Sequence, residues 1–132
     1  MRILLAVAAG GFLGGTARYG LVNALPQGPA GVTFAVNVAG SFALAVLLVL
    51  ALEAWPPSRY LRPFAATGFL GSFTTFSTWM LEVDRLVQSE GTGAAASHLL
   101  GTLVAGLLAA FVGVVAGRAL VVPRLAGRER LR

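Results

Sequence analysis

Four long apolar runs, separated by short stretches that carry prolines and most of the charges, make up nearly the whole chain. The runs cover residues 3–24, 32–54, 62–89 and 94–119, and a basic tail covers residues 120–132. A helix needs about 20 apolar residues to cross the hydrocarbon core of a bilayer, so each run is long enough to span it. The pattern predicts an all-α integral membrane protein with four transmembrane helices in a single membrane domain.

The third run contains an unusual polar cluster. Residues 68–79 read GFLGSFTTFSTW, which combines two glycines, three phenylalanines and several hydroxyl side chains. Polar groups without a partner are strongly unfavourable in hydrocarbon, so a plain lipid-facing helix does not explain this stretch. We expect the third helix to be broken in mid-membrane near residues 71–75, and we take residues 68–79 as the functional centre.

The composition agrees with a membrane protein. The chain has 132 residues, of which 57% are hydrophobic and 11% are charged, whereas a soluble domain carries about 25% charged residues. The mean hydropathy is +0.82. Cysteine is absent, which excludes disulfides, thiol chemistry and cysteine metal sites.

The arginines predict the orientation in the membrane. With four spans, eight arginines of the N-terminus, the link at residues 53–62 and the tail lie on one side, against Arg85 on the other. The positive-inside rule then places both termini in the cytoplasm. Pro26 and Pro29 predict a turn after the first span, and Pro56 and Pro57 predict a second turn. The second turn follows Trp55, which we expect to anchor the chain at the membrane interface.

Small residues predict where helices approach closely. Gly10 and Gly14 form one G-x-x-x-G pair in the first span, and Gly11 and Gly15 form an overlapping one. Such pairs let helix backbones pack tightly in lipid.

Some polar side chains inside the spans have two readings. Arg18 either faces protein or water, or extends its guanidinium to the interface. Asn37 either forms a hydrogen bond with another helix, or offers an amide N–H to a permeating anion. His98 and Thr102 are four residues apart and share a face of the fourth helix, which Gly106 continues.

The chemistry available to these groups is limited. No Ser/His/Asp arrangement is present, His98 is on a different span from the acidic residues, and Glu53 and Glu82 lie at span ends. We therefore expect no enzyme and no simple carboxylate-based proton coupling. What remains is rich in hydrogen-bond donors, whereas a cation pathway normally shows carboxylates or rings of carbonyls. The donors, with the ring edge of Phe76, indicate a small-anion pathway; they are Asn37, Ser72, Thr74, Thr75, Ser77, Thr78 and Thr102.

Three motifs together resemble one known family. GGFLGGTARY at residues 10–19, TFAVNVAGSF at 33–42 and GFLGSFTTFST at 68–78 are similar to the signatures of the CrcB/Fluc fluoride channels in order and span placement. The resemblance implies a fluoride-selective channel in the bacterial inner membrane that exports F⁻ down its gradient, lowers cytoplasmic fluoride and gives fluoride resistance. It also implies a dual-topology dimer, in which two antiparallel subunits form two pores along their interface.

The resemblance also assigns roles to residues. Asn37 matches the pore asparagine, and Phe76 the first member of a phenylalanine pair, whose second member is replaced here by Trp79. An indole is larger than a phenyl ring, so we expect altered conduction at Trp79 rather than loss of function. The remaining matches are hydroxyls beside the pair, a polar track in the fourth span and an arginine in the first motif; they fall on Ser77, Thr78, His98, Thr102 and Arg18.

A structural Na⁺ at the dimer centre is implied as well. In the family, backbone carbonyls at the helix break of both subunits hold it, and those positions fall on Gly71 and Thr74. In the polar track, His98 stands where the family usually has tyrosine, and Gly106 lacks the family's hydroxyl.

Two alternatives stay open at this point. The partner is either a second copy of the chain or an oppositely oriented paralogue, because eight arginines against one oppose insertion in both orientations. The function alternative is a proton-coupled small-solute transporter of the four-span antiparallel type, such as the small multidrug exporters. Those depend on a carboxylate in the first span, which is missing here. A structural membrane protein without transport would leave the Asn37 and TTFST cluster without a purpose.

Overall fold

A computed structural model describes the backbone of residues 1–25, 28–54 and 58–129, with side chains for residues 1–25, 30–53 and 58–121. The turn predicted at Pro26, the anchor predicted at Trp55 with the turn that follows it, and most side chains of the basic tail lie outside these ranges.

The described part of the chain is almost entirely helical and contains no strand. Helix α1 is Arg2–Ala24, and α2 is Gly28–Val49, which continues as a π-helical turn, Leu50–Ala54. The third segment begins as π-helix Pro63–Leu70 and continues as the short α3, Gly71–Phe73. Helix α4 is Phe76–Ser89, and α5 is Thr92–Glu129. The prediction of an all-α chain is confirmed.

Three of these helices are long and apolar enough to cross a membrane: Arg2–Ala24, Ala30–Glu53 and Thr92–Val121. Their large apolar side chains point outward, as at Phe12 (74% exposed) and Phe111 (67% exposed). An apolar surface of this extent is typical of a face covered by lipid or by another protein. The chain is therefore a multi-pass membrane protein.

Glycines set the distance between α1 and the π-helix. Gly10 and Gly14 are buried against this segment, and a Cβ atom at Gly14 would collide with the carbonyl oxygen of Phe69. A Cβ atom at Gly68 would lie 2.5 Å from the carbonyl oxygen of Val7. Gly15 has no neighbour within 4 Å. Of the two overlapping glycine pairs, the first makes the tight backbone contact.

Helices α2 and α5 form the other close pair. A Cβ atom at Gly113 would lie 2.6 Å from the carbonyl oxygen of Phe42, so the two backbones are nearly in contact. Further along the pair, Arg118 Nε lies 3.7 Å from Glu53 Oε1. The end of α2 and the middle of α5 thus meet at one end of the molecule.

The opposite end holds the turn between α4 and α5. The N–H groups of Glu90 and Gly91 both donate to the carbonyl of Leu86, at 2.9 and 3.0 Å, and end the helix there. Gly91 has a φ of 92°, a left-handed conformation in which a side chain would be strained. This turn directs α5 back along α4.

Candidate functional site

Two extended residues separate α3 from α4. Thr74 has φ −79° and ψ 156°, and Thr75 has φ −147° and ψ 122°. A helix end leaves backbone carbonyls without partners, and a helix start leaves N–H groups without partners. At this point of the chain, both kinds of group need partners from elsewhere.

Asn37 of α2 satisfies the backbone of Thr75. Its Nδ2 donates to the Thr75 carbonyl at 3.0 Å, and its Oδ1 accepts from the Thr75 N–H at 2.9 Å. The carboxamide therefore acts as a peptide group would in regular structure. Of the two readings that the sequence leaves open for Asn37, the geometry gives the interhelical hydrogen bond, and one Nδ2 hydrogen remains for a further partner.

Thr75 also caps α4 through its side chain. Its Oγ1 accepts from the Thr78 N–H at 3.2 Å and donates to Thr78 Oγ1 at 3.0 Å. A capping hydroxyl satisfies one of the free N–H groups at a helix start. No role was predicted for this hydroxyl from the sequence, although a threonine three residues before Thr78 at an expected helix start is the signal for an N-cap.

A cavity of about 400 Å³ lies between α2, the interrupted segment and α5. Its walls are mostly apolar, and none of its lining residues is charged. The N-terminal end of α4 borders it, and the dipole of a helix gives that end a partial positive charge. The polar lining side chains are Asn37, Ser41, Thr74, Thr75, Trp79 and Thr102.

The cavity unites six of the ten predicted site residues: Asn37, Gly71, Thr74, Phe76, Trp79 and Thr102. Ser77 and Thr78 lie just behind its wall, where both hydroxyls are within 3.4 Å of Thr75 Oγ1. Arg18 is partly exposed on α1, away from the cavity lining, as is His98 on α5.

Phe76 and Trp79 form an edge-to-face aromatic pair. Their ring centroids are 5.7 Å apart and their planes meet at 82°. Phe76 is 69% exposed, whereas Trp79 is 9% exposed. The indole Nε1 of Trp79 and the hydroxyl of Thr102 are buried without a hydrogen-bond partner. Such groups are unfavourable by about 1–3 kcal/mol each and are free to bind a ligand.

A hydroxyl from α2 stands opposite Gly106. The Oγ of Ser41 lies 3.5 Å from the point where a Cβ of Gly106 would be, and it donates to the Asn37 carbonyl at 2.8 Å. Ser41 therefore supplies a hydroxyl at the level where α5 lacks one. The signal in the sequence was its spacing of four residues from Asn37, which puts both on one helix face.

The burial of Glu82 is not apparent from the sequence. The carboxyl group is 4% exposed, and its Oε1 accepts from the Thr33 hydroxyl at 2.6 Å. Its Oε2 lies 3.6 Å from His98 Nε2, so the histidine does meet an acidic residue. His98 and Glu82 lie on different helices, as the sequence indicated, and helix packing brings the two side chains together. Glu82 follows Trp79 by three positions, and this spacing could have indicated the shared face.

Within the described residues, no group of three or more histidine, cysteine or acidic side chains is arranged to hold a metal ion. Any cation near the cavity would therefore rely on neutral oxygens, those of hydroxyls, carboxamides or the backbone.

Comparison with known proteins identifies the family. A family model described as "CrcB-like protein, Camphor Resistance (CrcB)" matches residues 5–114. "Fluoride-specific ion channel FluC 3" of Streptomyces avermitilis is 58% identical over 119 residues, which are 88% of this chain and 58% of that protein. "Fluoride-specific ion channel FluC 2" of Nocardia farcinica is 47% identical over 119 residues, covering 88% of this chain and 85% of that protein. "Fluoride-specific ion channel FluC" of Rhodospirillum centenum is 44% identical over 125 residues, or 92% and 96%.

The chain thus spans a little over half of the first relative and most of the other two. These matches confirm the resemblance that the three sequence motifs carry. The chain belongs to the CrcB family.

Proposed function

We propose that this chain is the subunit of a fluoride-selective channel that lets F⁻ leave the cytoplasm down its electrochemical gradient, lowering cytoplasmic fluoride and giving fluoride resistance. The observation that carries the proposal is the uncharged cavity beside the interrupted third segment. Buried donors without partners face the same region as a helix N-terminus. The relatives named above are fluoride-specific ion channels by name.

The donors suit a small anion that must lose its water. Trp79 Nε1, the Thr102 hydroxyl and the second Asn37 N–H can replace water molecules around F⁻. The partially positive start of α4 adds a favourable potential without a full charge. A full positive charge in the cavity would hold the ion too strongly for it to leave. The ring edge of Phe76 belongs to this lining, and Ser77 and Thr78 continue it beyond the cavity.

Two other residues, His98 and Arg18, lie at the ends of the proposed pathway. His98 lies one turn before Thr102 on α5 and continues the line of polar groups toward the α4–α5 turn. Arg18 contributes positive potential from α1 rather than direct contact.

A second subunit would complete the pathway. The cavity opens on one side of the chain, where Phe76 is largely exposed, and Gly71 beside it is exposed as well. In the proposed dimer, two antiparallel subunits meet at this face, and the third segment of each is broken in mid-membrane. The proposed dimer lies in the bacterial inner membrane.

The partner is a second copy or an oppositely oriented paralogue. The strong arginine bias of this chain favours a paralogue, and Streptomyces avermitilis has relatives named both FluC 2 and FluC 3. A C-terminal reporter read from each side of the membrane separates the two cases. A single orientation in cells without any paralogue would exclude the homodimer.

The proposed dimer holds Na⁺ at its centre through the backbone carbonyls of Gly71 and Thr74. The residues present fit such an ion. Carbonyls near a helix interruption lack helical partners, and a two-fold axis lets two subunits supply four oxygens. Na⁺ would fix a positive charge between the two third segments, and replacing it with a large organic cation is expected to lower dimer stability.

Fluoride efflux from liposomes tests the function. Vesicles loaded with fluoride and carrying the purified protein should release F⁻, measured with a fluoride electrode, much faster than protein-free vesicles. Vesicles loaded with chloride serve as the selectivity control. Chloride release at a similar rate, or fluoride release that depends on a proton gradient, would contradict a fluoride channel.

A further inference from the structure

Glu82, which is buried, and His98, which is partly exposed, form an ionisable pair next to the cavity. Glu82 Oε2 and His98 Nε2 are 3.6 Å apart, and neither atom has a hydrogen-bond partner. Oε1 is already taken by the hydroxyl of Thr33. A carboxylate that is 4% exposed and has one oxygen without a partner is an unfavourable arrangement unless a proton can join the pair.

The pair is continuous with the proposed anion pathway. Trp79 precedes Glu82 by three positions, so these two residues share one face of α4. Thr102 follows His98 by four positions, so they share one face of α5. Trp79 and Thr102 line the cavity and carry the other two buried polar atoms without partners. The ionisable pair thus lies about one helical turn, or ~5.4 Å, from the cavity.

No other ionisable group faces the pair in the described residues. On α2, the residues around Thr33 are neutral, and His98 is the sole ionisable residue of α5 before Arg118. On α4, Asp84 and Arg85 are exposed and lie on other faces than Glu82. The charge next to the cavity therefore depends on the protons held by Glu82 and His98 alone.

We propose that Glu82 and His98 form a proton-binding site that controls anion entry into the adjacent cavity. The pair has a net charge of −1 when the imidazole is neutral and zero when it holds one more proton. A negative charge near the cavity repels F⁻, and taking up the proton removes the repulsion. Histidine is the side chain whose charge normally changes between about pH 5 and 8, so acid increases fluoride flux.

The size of the effect follows from Coulomb's law. A unit charge about 8 Å from the ion, at an effective dielectric constant of about 20, changes the occupancy of the cavity by more than about tenfold. This role of Glu82 and His98 rests on the proposed function of the chain as a fluoride channel.

Flux at equal pH on both sides of the vesicle tests the site. Fluoride efflux at about pH 5.5 should exceed efflux at about pH 7.5 roughly tenfold after subtraction of protein-free vesicles, which corrects for leakage of HF. His98→Gln replaces the imidazole with a carboxamide, which can donate and accept hydrogen bonds but cannot gain a proton, so its flux should stay low at both pH values. Glu82→Gln should conduct at neutral pH about as fast as the unmodified protein does in acid. Asp84→Asn is the matched control, which makes the same chemical change at an exposed site and should stay acid-stimulated.

A direct readout of protonation separates the possible failures. His98 is the only histidine of the chain, so labelling histidine in protein that carries no histidine tag reports on this single site by NMR. Its imidazole signal should change over the same pH range as the fluoride flux. Fluoride flux that does not vary with pH, an imidazole that does not titrate, or unchanged acid stimulation in His98→Gln would each overturn the proposal. Absence of fluoride flux at every pH would instead contradict the channel itself, and the NMR titration would still report proton binding.

Discussion

Replacing Asn37 with alanine is expected to destabilise the interrupted third segment. The change removes two hydrogen bonds, of 3.0 and 2.9 Å, and leaves both the N–H and the carbonyl of Thr75 without their partner. A buried polar group that loses its partner is unfavourable by about 1–3 kcal/mol. Because both hydrogen bonds are only partly buried, the low end applies to each group. The sum is about 2 kcal/mol, or about thirtyfold in the folding equilibrium.

Asn37→Asp separates the two hydrogen bonds. A carboxylate still accepts from the Thr75 N–H, but its second oxygen then faces the Thr75 carbonyl oxygen, where Nδ2 donated before. It also brings a negative charge to the cavity, which repels F⁻. The rate of fluoride efflux should therefore fall by a larger factor than the folding equilibrium constant does. Unchanged flux would remove Asn37 from the pathway.

Thermal unfolding in detergent, followed by far-ultraviolet circular dichroism, measures the loss of stability. Asn23→Ala is the matched control, because Asn23 Nδ2 donates within its own helix to the Tyr19 carbonyl at an exposed site. It should shift the unfolding temperature little, whereas Asn37→Ala should lower it by several degrees. If both variants unfold at the same temperature and both release fluoride normally, the side chain of Asn37 does not hold the interruption.

Three further changes give sharp expectations. Gly14→Ala places a methyl group against the Phe69 carbonyl and should destabilise the protein by about 1–3 kcal/mol, whereas Gly15→Ala meets open space and should not; denaturation in detergent compares them. Trp79→Phe removes a buried N–H that has no partner; fluoride efflux should fall several-fold without a matching loss of stability, and a protein that conducts equally well would exclude the indole as a donor. Arg118→Ala breaks an ion pair that is 66% and 40% exposed and should change stability by less than about 1 kcal/mol, a bound that chemical denaturation can check.

The helices and their close contacts were largely predictable from the sequence. Length and hydrophobicity alone indicated the spans, because a bilayer requires them, and glycine spacing indicated that α1 makes a tight contact. Which glycine pair is used was not predictable. Gly10 and Gly14 contact the π-helix while Gly15 does not, and this depends on the rotation of α1, which tertiary packing sets.

The sequence indicated which residues belong to the candidate site better than it indicated which of them contact each other. A carboxamide inside a span must find a partner, so the need of Asn37 for a hydrogen bond followed from its position. That the partner is the backbone of Thr75, 38 residues away, depends on the interruption and cannot be read from side-chain types. The position of Glu82 at the end of an apolar run gave no indication that its carboxyl group is buried. Its hydrogen bond to Thr33 and its proximity to His98 arise only when α2, α4 and α5 pack together.

The interruption at Thr74 and Thr75 also has a mechanical consequence. The π-helix packs against α1 through Gly10 and Gly14, whereas α4 packs against α2 and α5. The two halves of the third segment therefore belong to different packing units, and two extended residues connect them. Asn37 fastens this connection to the second unit through both polar groups of one peptide residue. A displacement of α1 would thus move Thr74, whose side chain lies against Gly40, and would change the shape of the cavity. Asn37 would stay fixed during this movement.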